Sequence, residues 1–89
     1  MSSTKRWSIE VILDEQDGHT RAEARLHTGD RTDVRGVGRA RLNPIDEDIP
    51  EIGDELAVAR ALVDLGHRLI ATAARDIEGV THVPAHLDT

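Results

Sequence analysis

Residues 50–75 read PEIGDELAVARALVDLGHRLIATAAR, and this stretch decides the fold. Counted in sevens from Ile52, one column holds Ile52, Ala59, Gly66, Ala73 and Val80. Its neighbour holds Leu56, Val63, Ile70 and Ile77, with Leu62 and Leu69 alongside and Val58 and Leu65 beyond. At ~100° per residue these positions cover about half of a helical wheel. Arg60, Asp64, His67, Arg68, Arg75 and Glu78 fill the opposite arc. The stretch is an amphipathic α-helix with an unusually wide apolar face. Pro50 suits the first helical position, where its missing N–H costs nothing. Glu51, Asp54 and Glu55 complement the positive end of the helix dipole. Gly53 leaves Asp54 as an alternative start. The helix is expected over residues 50–78, with Gly79 as its stop. Pro84 forbids a regular helix through the tail, so residues 79–89 are read as irregular.

Upstream the periodicity changes to two. In residues 6–13, Trp7, Ile9, Val11 and Leu13 alternate with Ser8, Glu10 and Ile12, which reads as a strand. Residues 1–5 are polar and are read as a disordered terminus. Asp14 to Gly18 reads as a hairpin turn, with Gly18 supplying positive φ. In residues 19–27, Thr20, Ala22, Ala24 and Leu26 face inward, while His19, Arg21, Glu23, Arg25 and His27 face outward. After a turn over residues 28–33, residues 34–42 form the third strand. Val34, Gly36, Gly38, Ala40 and Leu42 face in, and Arg35, Val37, Arg39 and Arg41 face out. Two inward glycines imply a strong twist, a bulge or close approach of the helix backbone. The expected fold is a single α+β domain of order β-β-β-α, a three-stranded antiparallel meander with one long helix on one face.

The totals bound the function. The chain has 89 residues and a net charge of −6. Residues 1–42 carry eight basic side chains against seven acids, and residues 43–89 carry three against ten. An acidic total argues against broad electrostatic capture of nucleic acid, yet a local arginine patch on the first half is possible. Trp7 is the only Phe, Trp or Tyr, which argues against a base-stacking platform of the single-strand-binding kind. There is no cysteine, hence no disulfide and no thiolate chemistry. No apolar run approaches the ~20 residues of a membrane span. Met1 to Lys5 is not followed by an apolar segment of the signal-peptide type. A cytoplasmic protein is expected.

Five arginines, Arg21, Arg25, Arg35, Arg39 and Arg41, share the outward face of strands two and three. They form a phosphate-binding surface, or else an ordinary solvated face paired with Glu10 and Glu23 whose stems cover Ile12 and Val37. Mixed surface charge favours the second reading. His82 and His86 have metal-ligand spacing only on a helix, which Pro84 removes, so no metal is expected. His67 lies on the polar arc and is read as exposed. Asp46-Glu47-Asp48 lacks the alternating ligands of a calcium loop and is read as solvated. Gly36-Val37-Gly38 enters a strand rather than a helix and is structural. No nucleophile–base set is visible, so the chain is read as non-enzymatic, without a cofactor or small-molecule substrate.

Self-association has its own signals. A helix of roughly 25 residues is about 37 Å long, whereas strands of eight or nine residues reach about 30 Å. The helix overhangs, and its small column permits a second helix to approach. A homodimer is expected, packed through Ala59, Leu62, Gly66, Leu69 and Ala73.

Three runs carry a resemblance. They are residues 36–44 (GVGRARLNP), residues 49–62 (IPEIGDELAVARAL), and the tail Asp76-Ile77-Glu78 with Thr81-His82 and Pro84-Ala85. The chain closely resembles a family of small actinobacterial proteins of unknown function with a dsRBD-like fold. The match spans Trp7 to Leu87 and is poorest from His27 to Asp33. Some members are associated with hypoxia and dormancy and have been likened to ribosome hibernation-promoting factors. The resemblance implies an α+β homodimer that slows translation under stress by meeting the ribosome or structured RNA. It supplies no catalytic residues. The lysines with which a double-stranded-RNA-binding domain meets phosphate are replaced here by Glu51, Asp54 and Glu55, so the arginine face is the expected RNA surface. The alternative is a homodimeric protein-interaction module with no nucleic-acid role.

Overall fold

A computed structural model describes residues 2–41 and 49–87. Three strands precede one helix: β1 (Ser8–Gln16), β2 (His19–His27), β3 (Arg35–Arg41) and α1 (Pro50–Thr81). The strands form an antiparallel sheet in the order β1-β2-β3, and α1 crosses one face. The architecture is α+β, as the alternation of the sequence requires.

Several boundaries differ from those expected. β1 begins at Ser8 rather than at residue 6 and continues through Asp14, Glu15 and Gln16, which pair with Arg21, Thr20 and His19. The turn shrinks to Asp17 and Gly18, both at positive φ (50° and 73°), the combination that lets a two-residue turn follow strand twist. Tertiary pairing thus overrides the weak strand propensity of Asp14–Gln16. Val34 is buried one residue before strand pairing begins, and its carbonyl accepts the Leu26 N–H. Leu42 and the acidic run 46–48 lie outside the described residues.

The helix does not stop at Gly79. It continues to Thr81, and His82 caps it in the left-handed conformation, with its N–H donating to the Glu78 carbonyl at 2.7 Å. A mid-helix glycine weakens a helix without ending it. The tail is tied to that end: the Ala85 N–H donates to Glu78 Oε1 at 2.9 Å, and the Val83 N–H donates to Thr81 Oγ1 at 3.2 Å. At 32 residues α1 is about 48 Å long and overhangs strands of about 30 Å. Among the described residues no helix is long and apolar enough to cross a membrane.

The helix meets the sheet through Ala57, Ala61 and Leu65, a ridge of spacing four. This ridge is displaced from the centre of the apolar arc that the sequence indicates. The reason lies in β3. A Cβ on Gly36 would run into the backbone of Ala61 and Leu65, and one on Gly38 would run into that of Ala57 and Ala61. The two backbones touch, so only small helix residues fit between them. The resulting core is thin. Among the described residues its eight buried apolar members are Ala22, Ala24, Leu26, Val34, Ala40, Ala57, Ala61 and Leu65, five of them alanine.

Placing α1 over β2 and β3 leaves β1 largely uncovered. Ile9 and Leu13 stand opposite Leu26 and Ala22 on the helix side of the sheet, yet they remain 47% and 43% exposed. On the helix, Leu62 is 42% exposed. An apolar trough therefore runs between β1 and the unburied flank of α1.

Candidate nucleic-acid interface

The sheet face away from α1 is open. Its register sets Glu10, Arg25 and Arg35 in one row, Ile12, Glu23 and Val37 in the next, then Asp14, Arg21 and Arg39, then Gln16, His19 and Arg41. All five sequence-selected arginines thus come together on this face. Against them stand Glu10, Asp14 and Glu23, leaving a positive surface on a chain of net charge −6.

Glu23 is the hub. It lies in the middle strand, 8% exposed, and its carboxylate accepts from three guanidiniums: Arg25 at 3.0 Å, Arg35 at 3.1 Å and Arg21 at 3.4 Å. The bond from Arg25 is the main influence holding its carboxyl below the usual glutamate range. Arg21 and Arg35 act in the same direction, and burial opposes them. Three arginines are thereby fixed around one anion. Arg39 and Arg41 are exposed and make no ion pair among the described residues. The expected second partner, Glu10, likewise makes none there. Glu23 was legible as a pairing partner, but its role as the single anchor of three arginines depends on β3 lying alongside.

The free edge of β3 is held by helix side chains that the sequence places on a solvent arc. The Val37 N–H donates to Asp64 Oδ2 at 2.8 Å, and Arg60 Nη1 donates to the Arg39 carbonyl at 2.7 Å. Arg68 Nε steadies Asp64 at 3.0 Å. The Val37 N–H first, and Arg68 second, keep the Asp64 carboxyl below the usual aspartate range. The only forewarning was the four-residue spacing of Arg60, Asp64 and Arg68.

Of the helix residues expected at a dimer surface, Ala59, Leu62 and Ala73 are exposed, Leu69 packs partly against the core, and Gly66 has open space where a Cβ would be. His82 caps the helix, so it and His86 do not share a helical turn. Among the described residues no cluster of three histidines or carboxylates is placed to hold a metal ion.

The sequence matches the Rv2632c-like family over residues 5–86. The chain belongs to that family. Uncharacterized protein MT1780 of Mycobacterium tuberculosis (strain CDC 1551 / Oshkosh) is 53% identical over 83 residues, covering 93% of this chain and 87% of that protein. Uncharacterized protein Rv2632c of Mycobacterium tuberculosis (strain ATCC 25618 / H37Rv) is 52% identical over 80 residues, covering 90% of this chain and 85% of that one. The crystal structure of Rv2632c superposes with a TM-score of 0.81 at 49% identity, over 93% of this chain and 98% of the other. The three-strand-and-helix architecture is therefore shared within the Rv2632c-like family.

Proposed function

We propose that this chain is a non-enzymatic cytoplasmic protein that grips RNA phosphates, those of the ribosome above all, through the open arginine face, and so slows translation under stress or dormancy. One observation supports the binding surface: five arginines share a solvent-facing sheet, three of them fixed in place by Glu23. Guanidiniums already held lose little further freedom on meeting a phosphate. The translational role rests on the resemblance read from the sequence, with its dsRBD-like fold and its likeness to hibernation factors. The helix start is no rival surface, because Pro50–Glu55 brings Glu51, Asp54 and Glu55.

Co-sedimentation with purified ribosomes at low and moderate salt tests this proposal, comparing the wild type with Arg35→Glu/Arg39→Glu. The expected result is binding that weakens as salt rises, as counterion release requires, and that disappears on charge reversal. No binding at low salt, or binding indifferent to the reversal, removes the RNA reading.

A second reading, a homodimeric protein-interaction module, is favoured by the trough between β1 and α1. Its walls carry Ile9, Leu13 and Leu62, and the small residues Ala59, Gly66 and Ala73 allow a second helix to approach. A core built mostly of alanine leaves a chain of this size in need of further burial. A second copy of the chain is the proposed occupant. Light scattering is expected to give the mass of two chains, falling to one in Leu62→Glu. A single-chain mass for the wild type at high micromolar concentration counts against it.

A further inference from the structure

We propose that the cleft between the β2–β3 loop and the C-terminal half of α1 binds a small molecule through a diphosphate group. The cleft adjoins the open sheet face and shares Arg35 with it, but Arg31, Arg68 and Arg75 belong to the cleft alone. Its volume is about 630 Å³, within the range of small-ligand sites. Four arginines line it from three parts of the chain: Arg31 from the loop, Arg35 from the start of β3, and Arg68 and Arg75 from α1. Asp33 and Asp76 are the acids on its walls, so the lining is positive on an acidic protein.

The arginines are held by contacts other than those a ligand would make. Thr28 knots the loop that carries Arg31: its Oγ1 accepts from the N–H groups of Asp30 and Arg31, and its own N–H donates to the Arg31 carbonyl. Glu23 anchors Arg35, and Asp64 anchors Arg68. Arg75 Nη2 donates to Thr72 Oγ1 at 3.2 Å, and that hydroxyl donates in turn to the Arg68 carbonyl. Two of the four keep most of their donors available. Arg31 and Asp33 stand 3.8 Å apart, beyond hydrogen-bond distance, and the Asp33 side chain is largely in solvent. The described acceptor of Arg75 is a neutral hydroxyl.

The number of forks indicates the ligand. A guanidinium binds two oxygens of a phosphate in parallel. A monophosphate, with three terminal oxygens, is saturated by about two such forks. A phosphodiester of an RNA backbone offers only two free oxygens and one charge, which leaves most of the donors unused. A diphosphate presents enough terminal oxygen and charge to engage arginines from three sides. Val34 and Ala71 supply a short apolar wall for whatever the diphosphate carries.

Isothermal titration calorimetry of the full chain, at low and moderate salt, tests the site with pyrophosphate, inorganic phosphate and adenosine diphosphate as probes. Pyrophosphate is expected to bind saturably, one per chain, at least tenfold more tightly than phosphate. Arg31→Ala and Arg75→Ala, both at exposed positions whose folding is checked by thermal melts, are each expected to weaken it tenfold or more. Arg39→Ala, on the open sheet face, is expected to change it less than twofold. Adenosine diphosphate binding more tightly than pyrophosphate assigns the group to a nucleotide, and weaker binding assigns it to the free anion. Either outcome keeps the diphosphate. No saturable pyrophosphate binding at millimolar concentration overturns the proposal. So does equal affinity for phosphate, or an equal loss in Arg39→Ala.

Discussion

The two flanks of α1 treat the sheet in opposite ways. Toward β3 the contact is closed: glycine meets helix backbone, Asp64 takes the Val37 N–H, and Arg60 reaches the Arg39 carbonyl. Toward β1 it is open, and side chains of core character face solvent on both sides of a trough. The difference shows that hydrophobicity alone does not aim a helix. The most apolar arc of α1 points away from the sheet, and a ridge of Ala57, Ala61 and Leu65 takes its place because only that ridge fits the glycines of β3.

Breaking the closed flank has the largest expected effect. Gly38→Ala forces a Cβ into the backbone of Ala57 and Ala61. Urea unfolding should place its cost at the upper end of the ~1–3 kcal/mol typical of overpacking. A midpoint equal to the wild type would mean that the helix can lift off at no cost, and the contrast between the flanks would collapse. Asp64→Ala comes next. It removes the acceptor from Val37, so amide exchange at Val37 should accelerate beyond the change seen at Ala24 in the middle strand.

Acid sharpens the same comparison more gently. The carboxyls of Glu23 and Asp64 both titrate below their ordinary values in the folded chain. Their contribution is therefore complete above the unfolded-state values and is lost as pH falls through the folded-state ones. Thermal midpoints should hold between roughly pH 7 and pH 5 and decline below about pH 4. The decline should be shallower in Glu23→Gln/Asp64→Asn. The smallest effect belongs to the overhang: Val80→Ser should change stability by no more than about 0.5 kcal/mol, because that side chain is almost wholly exposed. A larger loss in the isolated chain would show that the overhanging turns are packed.

Much of the fold was legible because the signals were local. Thr20, Ala22, Ala24 and Leu26 alternate with charge, and Gly36 and Gly38 announce a close backbone approach. What was hidden depends on partners distant in sequence. Asp14–Gln16 joins β1 only because β2 lies opposite. Asp64 looks like a solvent residue until β3 offers it an amide. The candidate site divides in the same way. The row of five arginines follows from period-two alternation within two strands. The convergence of Arg31, Arg68 and Arg75 on Arg35 joins a loop, a strand and a helix, and no spacing rule connects them.

The treatment of the sheet edges also limits growth. An edge strand whose N–H and C=O groups face water is a template on which further strands can polymerise. Here two outward groups of β3 are already occupied by Asp64 and Arg60, while among the described residues β1 is unpaired on its far side. Strand addition is hindered at β3 and is easier at β1. Two copies joined there each use their easier edge, and the assembly is finite rather than a fibre. The polar clamp on one flank of the helix thus acts as a terminator, setting how far the sheet can extend.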